Sequence, residues 1–190
     1  MRIVGGKFRS RALAAPSNKE IRPTSDRVRE AIFNKLAHGA AAVQFEGLRV
    51  IDLFAGTGAL AIESISRGAA FALLVEESAE ARGLIRENVE ALGLTGCTRI
   101  FRRDAADLGP AGNIEPFGLA FLDPPYGKGL ADKALAALLN GGWLLPGAVI
   151  AVEEQESNVV IVPAPLTTLD RRTYGETQVL FLRFAAAETV

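Results

Sequence analysis

Arg49-Val50-Ile51-Asp52-Leu53-Phe54-Ala55-Gly56-Thr57-Gly58-Ala59-Leu60-Ala61 is the stretch on which the fold turns. Arg49 to Leu53 reads as a short apolar strand, with Gly56 and Gly58 directly behind it. Ala59 to Arg67 then has an apolar face at helical spacing and is stopped by Gly68. Glycines straight after an apolar strand let the backbone approach a ligand, and the helix N-terminus behind them adds a positive field. Gly56, Gly58 and Ala61 satisfy the spacing G-x-G-x-x-A, and Glu76 lies 20 residues past Gly56 at a strand end. An acid there can accept hydrogen bonds from ribose hydroxyls. The set points to a nucleoside cofactor without saying which.

The strand-helix unit recurs. Phe71 to Val75 reads as a strand and Ala79 to Leu92 as a helix stopped by Gly93. Arg99 to Arg102 is a strand ending at Asp104, and the acidic, Gly- and Pro-containing stretch Asp107 to Pro116 is a loop or short helix. Phe117 to Leu122 is the fourth strand, Leu130 to Leu139 a helix ending at Asn140-Gly141-Gly142, and Ala148 to Val152 the next strand. Apolar runs alternating with helices predict a mostly parallel seven-stranded α/β sheet, Rossmann-like, with helices on both faces. Leu166 to Tyr174 and Thr177 to Phe184, separated by Gly175-Glu176, read as an antiparallel C-terminal hairpin. Ahead of the sheet, Met1 to Ala15 reads as an exposed β-hairpin or a pair of short strands. Thr24 or Ser25 can cap a helix carried by Val28, Ala31, Ile32, Lys35 and Leu36. The expected organisation is a small extension over residues 1–40 and one domain over 41–190.

At 190 residues, 49% hydrophobic and 23% charged, the chain can bury a core without disulfide or metal, and disorder, collagen and coiled coil are excluded. One cysteine, Cys97, and one histidine, His38, leave no disulfide framework and no His/Cys zinc site, so no metal is expected. Cys97 suits a small buried hydrophobe, His38 a structural or solvated position, and Trp143 a packing role. No run reaches 18 apolar residues and the start lacks an apolar signal core, so a cytoplasmic protein without membrane association is the expectation. A monomer is expected.

Charge is unevenly placed. Residues 1–35 hold nine basic side chains (Arg2, Lys7, Arg9, Arg11, Lys19, Arg22, Arg27, Arg29, Lys35) against three acids, or +6, while the remaining 155 residues are −7. A basic arm on an acidic body can engage a polyanion, and arginine forks suit phosphate oxygens. Arg171, Arg172 and Tyr174 offer a second candidate face, equally readable as an ordinary polar hairpin.

Asp52 narrows the cofactor. A carboxylate facing the crevice repels a diphosphate but stabilises a ligand that carries a sulfonium and an ammonium group, as S-adenosylmethionine does. Asp104 can accept from an adenine amino group, with Ala105 leaving room for the ring. Asp52, Glu76, Asp104 and Asp123 thus end four successive strands, where open α/β sheets bind ligands.

Asp123-Pro124-Pro125-Tyr126 is the most specific short motif. Two prolines fix the backbone and leave carbonyls as acceptors. A carboxylate, a fixed carbonyl and an aromatic ring fit a planar base with an exocyclic NH₂, Tyr126 stacking on its face for roughly 1–3 kcal/mol. The amine lone pair is delocalised into the ring, so rate would come from positioning and electrostatics.

These motifs resemble class I S-adenosylmethionine-dependent methyltransferases. More closely, the chain resembles the bacterial family that makes N2-methylguanine at position 966 of 16S ribosomal RNA. That likeness runs from Met1-Arg2-Ile3 through Gly6-Lys7-Phe8-Arg9, Arg22-Pro23-Thr24-Ser25-Asp26-Arg27-Val28-Arg29-Glu30, the glycine loop and Asp123 to Tyr126, to Asn140-Gly141-Gly142-Trp143-Leu144. The Asp-Pro-Pro-Tyr motif alone also fits adenine-N6 and glutamine methyltransferases; the Arg22 to Glu30 segment narrows the likeness.

The resemblance implies that Asp52, Phe54, Ala55, Gly56, Thr57 and Gly58 surround S-adenosylmethionine, with Glu76 at the ribose and Asp104 and Ala105 at the adenine. Asp123 would serve both ligands, and Pro124, Pro125 and Tyr126 would handle the guanine. Arg2, Lys7, Arg9, Arg11, Arg22, Thr24, Arg27 and Arg29 would contact 16S RNA in the 30S subunit or a late assembly intermediate. Phe8 stands where relatives often have Trp, and Ser78 where an acid often follows the ribose-binding residue.

Three other functions compete. An NAD-dependent oxidoreductase shares the glycine spacing, but Asp52 opposes a diphosphate and no length remains for a substrate domain. A DNA adenine-N6 methyltransferase lacks a groove-reading element here. A non-catalytic RNA-binding or ribosome-assembly protein would tolerate loss of Asp123.

Overall fold

The computed structural model describes residues 1–16 and 26–185. Within them one sheet has seven strands: β1 (Arg49–Leu53), β2 (Phe71–Val75), β3 (Thr98–Phe101), β4 (Phe117–Leu122), β5 (Leu144–Gln155), β6 (Leu166–Tyr174) and β7 (Thr177–Phe184). Four helices accompany it: α1 (Asp26–Ala37), α2 (Ala59–Ser66), α3 (Ala79–Ala91) and α4 (Leu130–Asn140). The order is β3-β2-β1-β4-β5-β7-β6, parallel from β3 to β5, with β7 antiparallel to both β5 and β6. From β1 the chain runs outward through β2 and β3, then returns to place β4 on the other side of β1. The reversal between β1 and β4 opens a crevice at their carboxyl ends, the usual ligand position in such sheets.

Alternation along each strand splits the core by face. Ile51, Leu53, Leu73, Val75, Ala120, Leu122, Ile150 and Val152 pack with Ala134, Leu135 and Leu138 of α4. The opposite face sends Val50, Leu119, Phe121, Val149 and Ala151 against Val28, Ile32, Phe33 and Leu36 of α1. On that face too, Ala72 and Leu74 meet α2 and α3 through Ile62, Ile85 and Val89. Strands buried on both faces are mostly apolar, which is why β2 and β4 read as continuous runs and why buried Asp52 stands out in β1. Trp143 is fully buried, stacks with Phe117 at 6.4 Å and donates from Nε1 to the Gly109 carbonyl at 2.8 Å, so it is a packing residue.

Three expectations are corrected. The fifth strand extends well beyond Ala148 to Val152: its pairing with β4 jumps from Phe117–Leu144 to Leu119–Val149, so the Pro146-Gly147 pair lies in a bulge that hid the strand's start. The third strand ends at Phe101, so Asp104 stands three residues beyond it. The N-terminal hairpin, bridged at Arg2–Ala12, is docked rather than simply exposed, with Ile3 and Leu13 buried.

Its docking explains the polar residues of α2. Glu63 is fully buried and accepts from the Val4 N–H at 2.8 Å, while Ser66 Oγ donates to the Gly5 carbonyl at 2.6 Å and accepts from the Phe8 N–H at 2.9 Å. Gly6 lies at φ 73, and a Cβ there would stand 1.9 Å from the Ser66 carbonyl oxygen, so no side chain fits. On α3, buried Asn88 accepts from the Ala14 N–H at 2.6 Å and donates to the Thr57 carbonyl at 3.0 Å, joining the hairpin to the glycine loop. The α1 cap expected from Thr24 or Ser25 lies outside the described residues. Among the described residues, no helix is long and apolar enough to cross a membrane.

Candidate active site

A cavity of about 700 Å³ opens at the carboxyl ends of β1, β2 and β4. Asp52, Phe54, Ala55, Gly56, Thr57, Glu76, Asp104, Ala105, Asp123, Pro124, Pro125 and Tyr126 all line it. Met1 and Val28 reach its rim from the hairpin and the first turn of α1. One space therefore brings together the strand-end acids, the glycine loop and the Asp-Pro-Pro-Tyr motif.

Gly58 is not in that lining. It precedes α2 at φ 79, and a Cβ on it would come within 2.9 Å of Leu74 Cδ2 and 3.5 Å of Ile62 Cδ1. Its missing side chain lets α2 close onto β2, which is a packing role. Phe54 sits at φ 65, uncommon for a residue with a Cβ and typical of strain held at functional sites.

Glu76 ties the turn together. Its Oε2 accepts from the Gly56 N–H at 2.9 Å and its Oε1 from the Ser78 N–H at 2.7 Å. Ser78 in turn caps α3, accepting from the Ala81 N–H at 3.4 Å. Asp104 Oδ1 accepts from the Ala106 N–H at 2.8 Å, turning the chain so that small, buried Ala105 faces the cavity.

Asp52 is 1% exposed. Its Oδ2 accepts from the Ala61 N–H at 3.2 Å, while Oδ1 is buried without a hydrogen-bond partner among the described residues. Burial pushes its carboxyl well above the usual range, the Ala61 N–H opposes this, and the Asp123 and Glu76 carboxylates push it further up. A buried acid with one oxygen unpartnered among the described residues and two like charges nearby sits in an electrostatic setting that a cation would relieve. The lining fits a nucleoside bearing a sulfonium and an ammonium group: acids for the cation, Glu76 for hydroxyls and Ala105 for a flat ring.

At the other end of the cavity the Tyr126 hydroxyl donates to Glu153 Oε1 at 2.7 Å and lies 3.2 Å from Thr177 Oγ1. Burial and the Glu153 hydrogen bond push the Tyr126 phenol far above its ordinary range, so it stays protonated. Glu153 and Thr177 are cavity residues that sequence reading missed. The available signal was the pair Glu153-Glu154 after an apolar run, acids at a strand end like Asp52, Glu76 and Asp123.

Arg2, Lys7, Arg9 and Arg11 are exposed on the hairpin and Arg27 on α1. Arg29 is not available to a polyanion: it is fully buried, donating to Asp26 Oδ1 at 2.8 Å and to the Arg2 carbonyl, and so holds α1 to the hairpin. Arg22 and Thr24 lie outside the described residues. Of the second basic face, Arg171 is exposed, Arg172 pairs with Asp170 at 3.1 Å, and Tyr174 packs toward the α1 side of the core.

The family model described as conserved hypothetical protein 95 matches residues 1–183. Ribosomal RNA small subunit methyltransferase D of Escherichia coli K12 is 38% identical over 165 residues, covering 86% of this chain and 80% of that protein. The chain belongs to the ribosomal RNA small subunit methyltransferase D family. Its family relative of the same name in Haemophilus influenzae is 30% identical over 177 residues, covering 92% of this chain and 89% of that one. Among solved structures, that of Escherichia coli yhhF superposes on this methyltransferase D family member with a TM-score of 0.83, 31% identity and coverage of 98% and 99%. The fold is the Rossmann-like class I methyltransferase fold, with its antiparallel C-terminal hairpin and the N-terminal extension packed on α2.

Proposed function

We propose that this protein transfers the methyl group of S-adenosylmethionine to the exocyclic N2 amine of a guanine in 16S ribosomal RNA, at position 966, in the 30S subunit or a late assembly intermediate. The observation that carries the reading is the single cavity in which cation-seeking Asp52 and the Asp123-Pro124-Pro125-Tyr126 segment face one space. Family membership and relatives named as small-subunit RNA methyltransferases support it.

S-adenosylmethionine supplies an electrophilic methyl group on a sulfonium. Asp52 balances its positive charge, Glu76 accepts from the ribose, and Asp104 with Ala105 borders the adenine. Gly56 presents backbone to the ligand, with Phe54, Ala55 and Thr57 beside it. Asp123 and the Pro124 carbonyl accept the two hydrogens of the guanine amine, which orients its lone pair toward the methyl carbon. Pro125 stiffens that backbone and Tyr126 stacks on the ring. As the N–C bond formed, the methyl–sulfur bond would break with its electron pair returning to sulfur, leaving S-adenosylhomocysteine. The amine would give up one proton to the Asp123 carboxylate, which would lose it to solvent. Positioning and charge supply the rate.

The extension over residues 1–40 grips RNA through Arg2, Lys7, Arg9, Arg11 and Arg27, with Arg22 and Thr24 as further candidates. Met1 and Val28, which line the cavity, support a reading in which this arm binds phosphates beside the chemistry. A small basic arm reads no sequence by itself, so the choice of guanine comes from RNA shape and a flipped or unpaired base.

The test is incubation with methyl-labelled S-adenosylmethionine and either naked 16S RNA, undermethylated 30S particles or DNA, followed by mapping of the labelled nucleotide. Label on one guanine N2 of the RNA is expected. Label on an adenine N6, on DNA alone, or on nothing overturns the reading.

A further inference from the structure

The far end of β5 breaks its own pattern. Toward α1 the strand sends Val149, Ala151 and then Glu153; toward α4 it sends Ile150, Val152 and then Glu154. Both acids are buried, at 6% and 3% exposure. Burying a carboxylate carries a large desolvation cost, and aliphatic residues continuing each stripe would avoid it. Breaks of this kind in an otherwise consistent strand mark function.

Both acids reach the segment that follows Asp123. Glu153 Oε1 accepts from the Tyr126 hydroxyl at 2.7 Å, and Glu154 Oε1 accepts from the Gly127 N–H at 3.3 Å. Consecutive acids on opposite faces of the sheet therefore grip consecutive residues of one loop, one by its side chain and the next by its backbone. Thr177, on the neighbouring β7, adds a third point at 3.2 Å from the Tyr126 oxygen. With its hydroxyl held and the N–H of the next residue tethered, the Tyr126 ring is restrained from tilting.

We propose that Glu153 is a positioning residue for the target base, fixing the plane of the Tyr126 ring so that an amine-bearing base meets a rigid stacking surface, with Glu154 holding the backbone beneath. The proposal rests on the function put forward above, in which Tyr126 stacks on the base. The phenol remains protonated across the neutral range, so the pin does not loosen where the enzyme works. A small misplacement of a reacting base costs turnover out of proportion to its size.

The test combines Glu153→Leu, Glu153→Gln, Tyr126→Phe and the Glu153→Leu/Tyr126→Phe double variant, with ring-labelled tyrosine read by NMR. Glu153→Leu lowers kcat about 10- to 100-fold, with the Kd for S-adenosylmethionine within about threefold. Glu153→Gln, which keeps an acceptor, recovers part of that loss. Tyr126→Phe keeps the ring but loses the pin, matching Glu153→Leu, and the double variant is no slower than either single. Losses that multiply, or a folded Glu153→Leu with full turnover, overturn the proposal.

Only Tyr126 and Tyr174 contribute tyrosine signals. The Tyr126 Cζ resonance stands apart from that of Tyr174 in the unmodified protein and moves toward it in Glu153→Leu. A resonance that does not move overturns the pin without any assay of activity. Should Glu153→Leu fail to fold, Thr177→Val and Tyr126→Phe carry the same comparison. An unmodified protein that shows the displaced resonance but methylates no RNA removes the proposed function, and this role with it, while leaving the contact standing.

Discussion

The Gly56 N–H and the Glu76 carboxylate meet at 2.9 Å, joining the turn after β1 to the end of β2. The second Glu76 oxygen is held by the Ser78 N–H at 2.7 Å. Two backbone donors thus aim one carboxylate, and the same group shapes the loop and faces the cavity. Glu76→Ala removes both functions. It is expected to weaken S-adenosylmethionine binding about 10- to 100-fold, the scale of lost charge-assisted hydrogen bonds. Titration calorimetry against Glu76→Gln, which keeps one acceptor oxygen, checks this; equal affinity in all three proteins would contradict it.

In the proposed function, Asp52 would exchange stability for binding. Its folded pKa lies above its unfolded one, so the folded state holds the proton more tightly in the interval between the two. Stability from this group therefore rises as pH falls through that interval, and the full penalty stands above the folded pKa. Asp52→Asn removes the penalty at neutral pH and is expected to stabilise the ligand-free protein by about 1–2 kcal/mol, raising Tm by a few degrees. The same change should lower affinity for S-adenosylmethionine at least about tenfold. Thermal melts paired with calorimetry test both halves, and a Tm that falls argues against them.

The pH dependence of binding follows from the same carboxyl. A cationic ligand favours the ionised form, so binding releases a proton while Asp52 is still protonated. Affinity for S-adenosylmethionine should climb with pH and level off once Asp52 is ionised in the free protein. S-adenosylhomocysteine lacks the sulfonium and should climb less steeply. Calorimetry in buffers of different ionisation enthalpy measures the proton released; identical profiles for the two ligands would contradict the role given to Asp52.

The arginines of the extension divide into two kinds. Arg9 and Arg11 are exposed, and Arg9→Ala or Arg11→Ala should leave Tm and cofactor affinity unchanged while weakening RNA binding. Each should reduce the slope of log affinity against log salt by about 1. Arg29 is buried while its partner Asp26 is half exposed, so Arg29→Ala should lower Tm through the loss of its hydrogen bonds to Asp26 and the Arg2 carbonyl, about 1.5–3 kcal/mol. A melting temperature unchanged by Arg29→Ala would refute that division.

Much of this was legible in the sequence. β1, β2, β4, β6 and β7 read to the residue; β2, β4 and β6 do so because their runs end at Glu76, Asp123 and Gly175. β5 did not, since Pro146-Gly147 resembles a loop and the bulge opposite Gly118 is visible only once β4 is paired. Polar Glu63, Ser66 and Asn88 look like solvated helix positions until the hairpin is laid across them. Arg29 looks like a solvated cation for the same reason, and its burial depends on a carbonyl 27 residues away in sequence. Gly58 shares its spacing with Gly56, and only the packing of Leu74 and Ile62 separates their roles. Charge and motif identify what a residue can do; the partner that uses it comes from long-range contact.

Calorimetric titration of the unmodified protein with S-adenosylmethionine, with nicotinamide adenine dinucleotide as the competing ligand, tests the central claim most directly. One saturable site for S-adenosylmethionine, with proton release that disappears in Asp52→Asn and no competition from the dinucleotide, is the expected result. No binding of S-adenosylmethionine, or displacement of it by the dinucleotide, would contradict a cavity built for a cationic nucleoside.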